Sequence, residues 1–278
     1  MKRFLCVLLL LALCFTLPAC NSKTDNDYLF YFLDVGQGDS ILLRTPKGDI
    51  LIDAGTEDSE SLLCLRLEQL GVRSLRLAVF THADEDHIGG ADGVLSRFPA
   101  DAVWLSGAPM ENEAAERLLR AAEACNSEIR PVSAGEVFQC GALVISVLAP
   151  FATPSEGGNE NSLILRIQHE NVTAILTGDA DVEAEAEMVV RYGAAQLACD
   201  LYKVGHHGSN TSSSLTFLQA MEPAYAVISC GAGNSYGHPT GEVLARLDRV
   251  GARVLRTDLC GEILFESNGQ ELVCLSHP

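Results

Sequence analysis

Within six residues of the stretch Thr81-His82-Ala83-Asp84-Glu85-Asp86-His87-Ile88-Gly89-Gly90 stand two imidazoles and three carboxylates. Imidazole nitrogen and carboxylate oxygen are the ligands of divalent transition metals. A lone His-Asp pair is ordinarily a charged surface turn, but this density, followed by Gly-Gly, points to a metal-binding loop. Three further clusters carry the same chemistry: Thr177-Gly178-Asp179, Val204-Gly205-His206-His207-Gly208-Ser209 and Tyr236-Gly237-His238-Pro239. Each has a plain reading alone: Asp179 as the cap of a following helix, the His pair as surface decoration, His238 as a packed helix start. Five of the seven histidines fall in these glycine-flanked loops, which sets the other two, His169 in a hairpin turn and His277 at the chain end, apart from the chemistry.

Such side chains converge only if rigid elements aim them. Leu75–Phe80, Val172–Leu176, Leu201–Val204 and Tyr225–Ser229 are short runs rich in apolar and β-branched residues, and they read as strands leading into the four clusters. Further strands are expected at Tyr28–Val35, Ser40–Arg44, Ile50–Asp53, Ala102–Leu105, Val137–Gln139, Leu143–Leu148 and Ser162–Gln168. The closing strands are 253–256, 261–266 and 271–275. Helices are expected over Ser61–Leu70, 89–98, 111–124, 181–191, 213–220 and 240–250, the first stopped by Gly71. Strands and helices mix in both halves, and no linker divides them. The pattern predicts one α/β (α+β) domain of two mixed sheets packed face to face with helices outside. Gly36-Gln37-Gly38 precedes a strand rather than a helix, so it is no dinucleotide fingerprint, and no nucleotide cofactor is expected.

The first residues form a separate unit. Lys2 and Arg3 precede the apolar run Phe4–Leu17, which Leu17-Pro18-Ala19-Cys20 closes like a bacterial lipobox. The run is short for a transmembrane helix and has the flanks of an export signal. The expectation is a signal peptide over 1–20, a lipid on Cys20, a polar linker over 21–27 and a folded domain over 28–278. The protein would then be lipid-anchored to the outer face of the bacterial cell membrane. The chain of 278 residues carries a net charge of −18, which becomes −20 without Lys2 and Arg3. A protein this acidic repels polyanions at long range, which excludes a general nucleic-acid binder. Seven cysteines remain beyond Cys20. They show no CxxC spacing and sit in apolar runs, where cysteine serves as a small hydrophobe. A disulfide such as Cys260–Cys274 across a terminal hairpin stays open.

The stretch Phe32-Leu33-Asp34-Val35-Gly36-Gln37-Gly38-Asp39-Ser40, the turn Leu51-Ile52-Asp53-Ala54-Gly55 and the four clusters follow the order found in the nuclease-like domain of ComEC-type competence proteins. The chain resembles that branch of the metallo-β-lactamase superfamily over residues 30–266. The resemblance implies an αββα sandwich with two divalent metal ions along one edge. Carried over, His82 and Asp84 would hold one ion, Asp86 and His87 the other. Asp179 would bridge them, and His206 or His207 would complete the second site. Asp84 stands where most relatives have histidine, and Asn161 lies near the place of the usual third histidine. That oxygen-rich set makes manganese a candidate beside zinc. Asp53 resembles the buried carboxylate supporting the metal loops, with Asp34 doing similar work or a simple turn's. Asp86 would act with the metal-activated water, and His238 as a substrate contact or proton donor. The implied reaction is phosphodiester hydrolysis, on DNA or on a smaller phosphoester. Hydrolysis of another ester, lactone or amide, or metal binding without catalysis, are the rival readings.

Overall fold

The computed structural model describes residues 28–151 and 158–276. The leader, Cys20, the linker 21–27, part of the polar loop before Asn161, and His277 lie outside the described residues. One sheet has the order β15 (Leu272–Cys274), β14 (Ile263–Ser267), β1 (Tyr28–Phe32), β2 (Ile41–Thr45), β3 (Gly48–Ile52), β4 (Leu75–Phe80), β5 (Ala102–Ser106), β6 (Glu128–Val132). The other has the order β13 (Arg253–Arg256), β12 (Tyr225–Ile228), β11 (Leu201–Lys203), β10 (Val172–Leu176), β9 (Ile164–His169), β8 (Leu143–Ala149), β7 (Val137–Cys140).

Two-residue alternation explains the layers. In β1, Phe30 and Phe32 join Ile50, Val79, Ile145, Leu165 and Leu176 in the core between the sheets. Leu29 and Tyr31 face the other way, toward Leu63 and Leu67 of α1 (Glu60–Gln69), Val94 of α3 (Ala91–Arg97) and Leu118 of α4 (Glu113–Ala124). On the far side, Ile175, Tyr202 and Ile228 pack on Met188 of α5 (Val182–Leu197), Phe217 of α6 (Leu215–Met221) and Leu247 of α7 (Gly241–Arg249). Each large apolar side chain fully buried in these layers contributes roughly 1.5–3 kcal/mol. The result is the expected αββα sandwich.

The differences from expectation are local. Strand β6 contains Pro131 between Arg130 and Val132, a composition that reads as loop but is tolerated at a sheet edge. Two four-residue helices, α2 (Glu85–Ile88) and α8 (Thr257–Cys260), are too short for a periodic signature. Helix α5 runs on past 191 to Leu197 because Gly193 kinks it at φ 63° rather than ending it. The seven described cysteines are all free, Cys260 and Cys274 among them. Among the described residues no helix is long and apolar enough to cross a membrane.

Strands β3 to β6 are mutually parallel, as are β10 to β13. Strand β1 shares the direction of β3, since each is antiparallel to β2. Loops leaving the carboxyl ends of such strands gather at one edge, the general location of sites in α/β sheets.

Candidate metal centre

Each cluster leaves the carboxyl end of a strand. His82 and Asp84 follow β4, and helix α2 carries Asp86 and His87. Asp179 follows β10, the His206-His207 pair follows β11, and His238 lies beyond β12. Asn112 fixes the first loop: it caps α4 by accepting from the Ala115 amide at 2.8 Å and donates through Nδ2 to the Ala83 carbonyl at 2.6 Å. Glu85 turns outward and accepts from the Glu57 amide at 2.9 Å, so the third carboxylate of the motif braces the loop. Helix α5 is capped by Asp181, whose side chain accepts from the Ala184 amide. Asp179 is therefore free of the capping role that its position suggested.

The inward side chains meet. His82, His87 and Asp179 offer ligand atoms within 4.8 Å of one another, and so do Asp86, His87 and His207. Asp179 Oδ1 lies 3.2 Å from His87 Nε2, while Oδ2 lies 3.5 Å from His207 Nε2. His207 Nε2 is in turn 3.0 Å from Asp86 Oδ2. Yet His82 Nε2, His87 Nε2, His207 Nε2 and Asp179 Oδ1 are buried without an aligned hydrogen-bond partner. Atoms this close and not aligned on each other face a shared centre, and unsatisfied buried polar atoms are costly. Divalent cations bound among them would satisfy these atoms, so the donor set fits a metal.

The opposite ring nitrogens are held. His87 Nδ1 donates to Asp53 Oδ2 at 2.8 Å, and His207 Nδ1 donates to the Ser229 carbonyl at 3.0 Å. Those bonds turn both Nε2 atoms inward, the usual device for orienting a metal-binding imidazole. Asp53 also accepts from the Thr81 amide and hydroxyl, both at 2.8 Å, and takes a left-handed backbone at φ 57°. Asp34 is exposed and accepts from the Gly36 amide, a turn role.

Of the His pair, His207 is the buried one at 1% exposure, and it alone enters the tight clusters. His206 is less buried. Its Nε2 is 3.5 Å from Asp179 Oδ2, and its Nδ1 is 3.2 Å from Thr211 Oγ1. Both residues take positive φ, 49° and 53°, a strained backbone that surrounding contacts must sustain. Those contacts begin at Gly205, whose amide donates to the Tyr202 hydroxyl at 3.0 Å. They continue to Ser213 and Ser214, whose amides donate to Glu185, a carboxyl pushed up to about 7 by burial. Asp84 stands at the rim, half exposed, with Oδ2 3.7 Å from His82 Nε2. The Asn161 carbonyl accepts from Ser106 Oγ at 2.7 Å, which ties that turn to the end of β5. His169 lies away from the clusters, buried at the end of β9 against the Tyr28 ring and the Ser267 hydroxyl.

Asp39 and Lys203 are the residues that the motif reading passes over. Both are almost fully buried, and Lys203 Nζ reaches Asp39 Oδ2 at 2.7 Å. Asp39 Oδ1 is 3.5 Å from His207 Nδ1, and Asp39 forms a tight cluster with Asp179 and His207. The backbone before Asp39 passes so close to the Asp86 carbonyl that only glycine fits at Gly38, and the Asp39 amide donates to that carbonyl at 3.1 Å.

The field follows from this crowding. Burial opposes charge on His87, yet Asp179 and Asp53 outweigh it and hold its pKa well above the ordinary value. Burial would likewise raise the Asp86 carboxyl, but the His207 and His87 imidazoles hold it at about 2. His238 is lowered by burial and by His206 and His207. The edge thus sets the low-pKa carboxylates Asp86 and Asp179 among imidazoles.

The sequence profile of the metallo-beta-lactamase superfamily matches residues 33–232. The chain belongs to the metallo-β-lactamase superfamily. Its broad class is accordingly that of a metal-dependent hydrolase. This superfamily member is 34% identical over 271 residues to ComE operon protein 3 of Bacillus subtilis, covering 91% of this chain and 34% of that protein. It is also 34% identical over 242 residues to competence protein ComA of Neisseria gonorrhoeae, covering 87% and 32%. The chain thus spans about a third of the length of these curated relatives. Among solved structures, the metallo-beta-lactamase fold protein YhfI of Bacillus subtilis superposes with a TM-score of 0.58 at 11% identity, over 87% of this chain and 100% of that one. CmlA, a diiron beta-hydroxylase from Streptomyces venezuelae, gives 0.56 at 13% identity, over 91% and 55%. Likeness at that identity concerns the fold alone, and this fold carries more than one chemistry.

Proposed function

We propose that the protein hydrolyses phosphodiesters with two divalent metal ions, outside the cytoplasm. The observation that carries the reading is Asp179, whose two oxygens turn one toward His87 and the other toward His207. A carboxylate so placed suits a bridge between two cations. His82, with Asp84 at the rim, would hold one ion, and Asp86, His87 and His207 would hold the other. His206 would border the substrate side. Ions bound there supply an acidified water and positive charge opposite the oxygens of the phosphorus centre. Asp86, ionised and beside His207, accepts a hydrogen bond from the attacking water and fixes its direction. Asp53 and the Ser229 carbonyl keep the imidazoles aimed. His238, on the substrate side of His206 at a ring separation of 5.8 Å, donates a proton to the leaving oxygen. An anionic phosphate bound beside that imidazole offsets the burial that lowers its pKa.

The phosphodiester class draws support from the competence proteins among the relatives, and the −20 charge beyond the leader favours a short substrate over a long polyanion. The oxygen-rich donor set favours manganese, with zinc as the competing ion. A panel of chromogenic phosphodiesters, carboxylic esters, lactones and β-lactams, assayed with each metal and after chelation, tests the reading. Phosphodiester hydrolysis should vanish on chelation, and manganese should restore it at least as well as zinc. Turnover of an ester or lactone with none of a phosphodiester would replace the substrate class. Failure to bind any metal would leave a surface-binding protein without catalysis.

The place of action rests on the leader and Cys20. Cys20→Ser should release the protein from the membrane fraction or leave it unprocessed. A mature protein of unchanged location, with no acyl mass on Cys20, would overturn the lipid anchor.

A further inference from the structure

Tyr236 is an aromatic side chain left in solvent beside the metal centre, with 69% of its surface exposed. Its ring stacks on His238 at 5.8 Å and 24°, and His238 lies 5.8 Å from His206, whose Nε2 is 3.5 Å from Asp179. A row of rings therefore leads from the bridging carboxylate out to solvent. Asn234 ties the loop beneath together. Asn234 Nδ2 donates to the carbonyls of Gly231 and His238 at 3.0 and 2.6 Å, and Asn234 Oδ1 accepts from the His238 amide at 3.1 Å. A ring already stacked on His238, above a loop tied in this way, loses less freedom on covering a flat partner than a ring on an untethered loop would.

The charges around it narrow the partner. Residues 33–40, 81–90, 177–181, 204–214 and 229–240 supply the edge, and none of these segments contains lysine or arginine. Lys203, next to them, is buried against Asp39. Arg246 and Arg117 reach these segments from neighbouring helices and donate to the Ser212, Ser213 and Gly89 carbonyls. The segments' own side chains thus offer flanking phosphates no cation, and counterion release from them supplies no affinity. What remains beside the metals is a π face. Stacking on an aromatic side chain is how proteins hold single-stranded bases without reading sequence.

We propose that Tyr236 is the stacking platform for a nucleobase, so that the substrate is a short phosphodiester bearing a nucleoside next to the scissile bond. This rests on the phosphodiester reading above. Tyr236→Ala and Tyr236→Phe are compared with the parent full-length protein, loaded with manganese. The substrates are a thymidine dinucleotide and its analogue lacking both bases. Tyr236→Ala should raise KM for the dinucleotide roughly 5- to 150-fold, the range for loss of one stacked base. Tyr236→Phe should restore it, and KM for the baseless analogue should not move. Calorimetric titration of thymidine 5′-monophosphate against ribose 5-phosphate provides a readout without turnover. Nucleotide binding that depends on Tyr236, in a protein that hydrolyses neither substrate, would keep the platform and remove the hydrolase reading. Hydrolysis of both substrates with KM indifferent to Tyr236→Ala would keep the hydrolase and overturn the platform. Equal binding of the two monophosphates would overturn it as well.

Discussion

Asp179→Ala should strip the centre of metal and end turnover in one step. The carboxylate places one oxygen 3.2 Å from His87 Nε2 and the other 3.5 Å from His207 Nε2. It is 2% exposed, and despite burial the His207 and His87 imidazoles keep its pKa well below the usual range. On the two-ion proposal, removing it takes away a shared anionic ligand and leaves several buried imidazoles without their carboxylate neighbour. Loss of a residue that merely orients a ligand typically costs about 10–100-fold in metal affinity or activity. Loss of a ligand common to two ions should exceed that for both. The check is metal content per chain by elemental analysis beside turnover of a phosphodiester. A variant that keeps both would remove the two-metal assignment.

His238→Ala should behave in the opposite way, retaining metal while slowing the reaction. Positioned acid catalysis contributes about 10²–10⁴-fold, and only where the leaving oxygen needs a proton. The loss should therefore be largest on an unactivated alkyl phosphodiester and nearly absent on a nitrophenyl one. His238 Nδ1 is buried without a hydrogen-bond partner, and its ring is part of the row from His206 to Tyr236. His169→Ala controls for loss of an imidazole as such. His169 packs on Tyr28 and bonds to Ser267, so its removal should lower stability and leave metal content and kcat per folded chain unchanged. Equal slowing on both substrates would show that His238 acts in binding rather than proton transfer. Loss of metal from His238→Ala would make it a ligand.

The histidine loops were legible because metal ligands and glycines at strand ends are rare together by chance, and the layers because alternating apolar residues mark two-faced strands. Other features depend on tertiary context that no local pattern carries. Lys203 stands in an apolar strand as a single charge, and only the fold reveals Asp39, some 160 positions earlier, as its partner. The choice between His206 and His207 turns on a left-handed backbone and on the Ser229 carbonyl, neither of which is written in Gly-His-His-Gly. Glu85, the carboxylate of the motif to which no ligand role is assigned, accepts from the Glu57 amide and braces the loop, a role that its neighbours in sequence do not announce. Asp181, two residues past Asp179, takes the helix cap and so frees the more important carboxylate. Strand β6 carries no strand signature, because its edge position tolerates the proline that an interior strand would reject.

Strand β1 pairs along its whole length with β14, Tyr28 opposite Ser267 and Phe32 opposite Ile263. The first strand of the domain therefore waits for nearly the last before its sheet is complete. The edge it supports is equally dispersed, with Asp39, His87, Asp179 and His207 each on a different segment. A chain emerging from its amino terminus cannot assemble the ligand set until β11 has followed, and cannot seal the sheet beneath it until β14 arrives. Closure of such distant segments is slow relative to local folding. If the centre holds metal as proposed, ion capture would belong to the end of folding, and the ion taken up would be one available where the carboxyl-terminal strand docks.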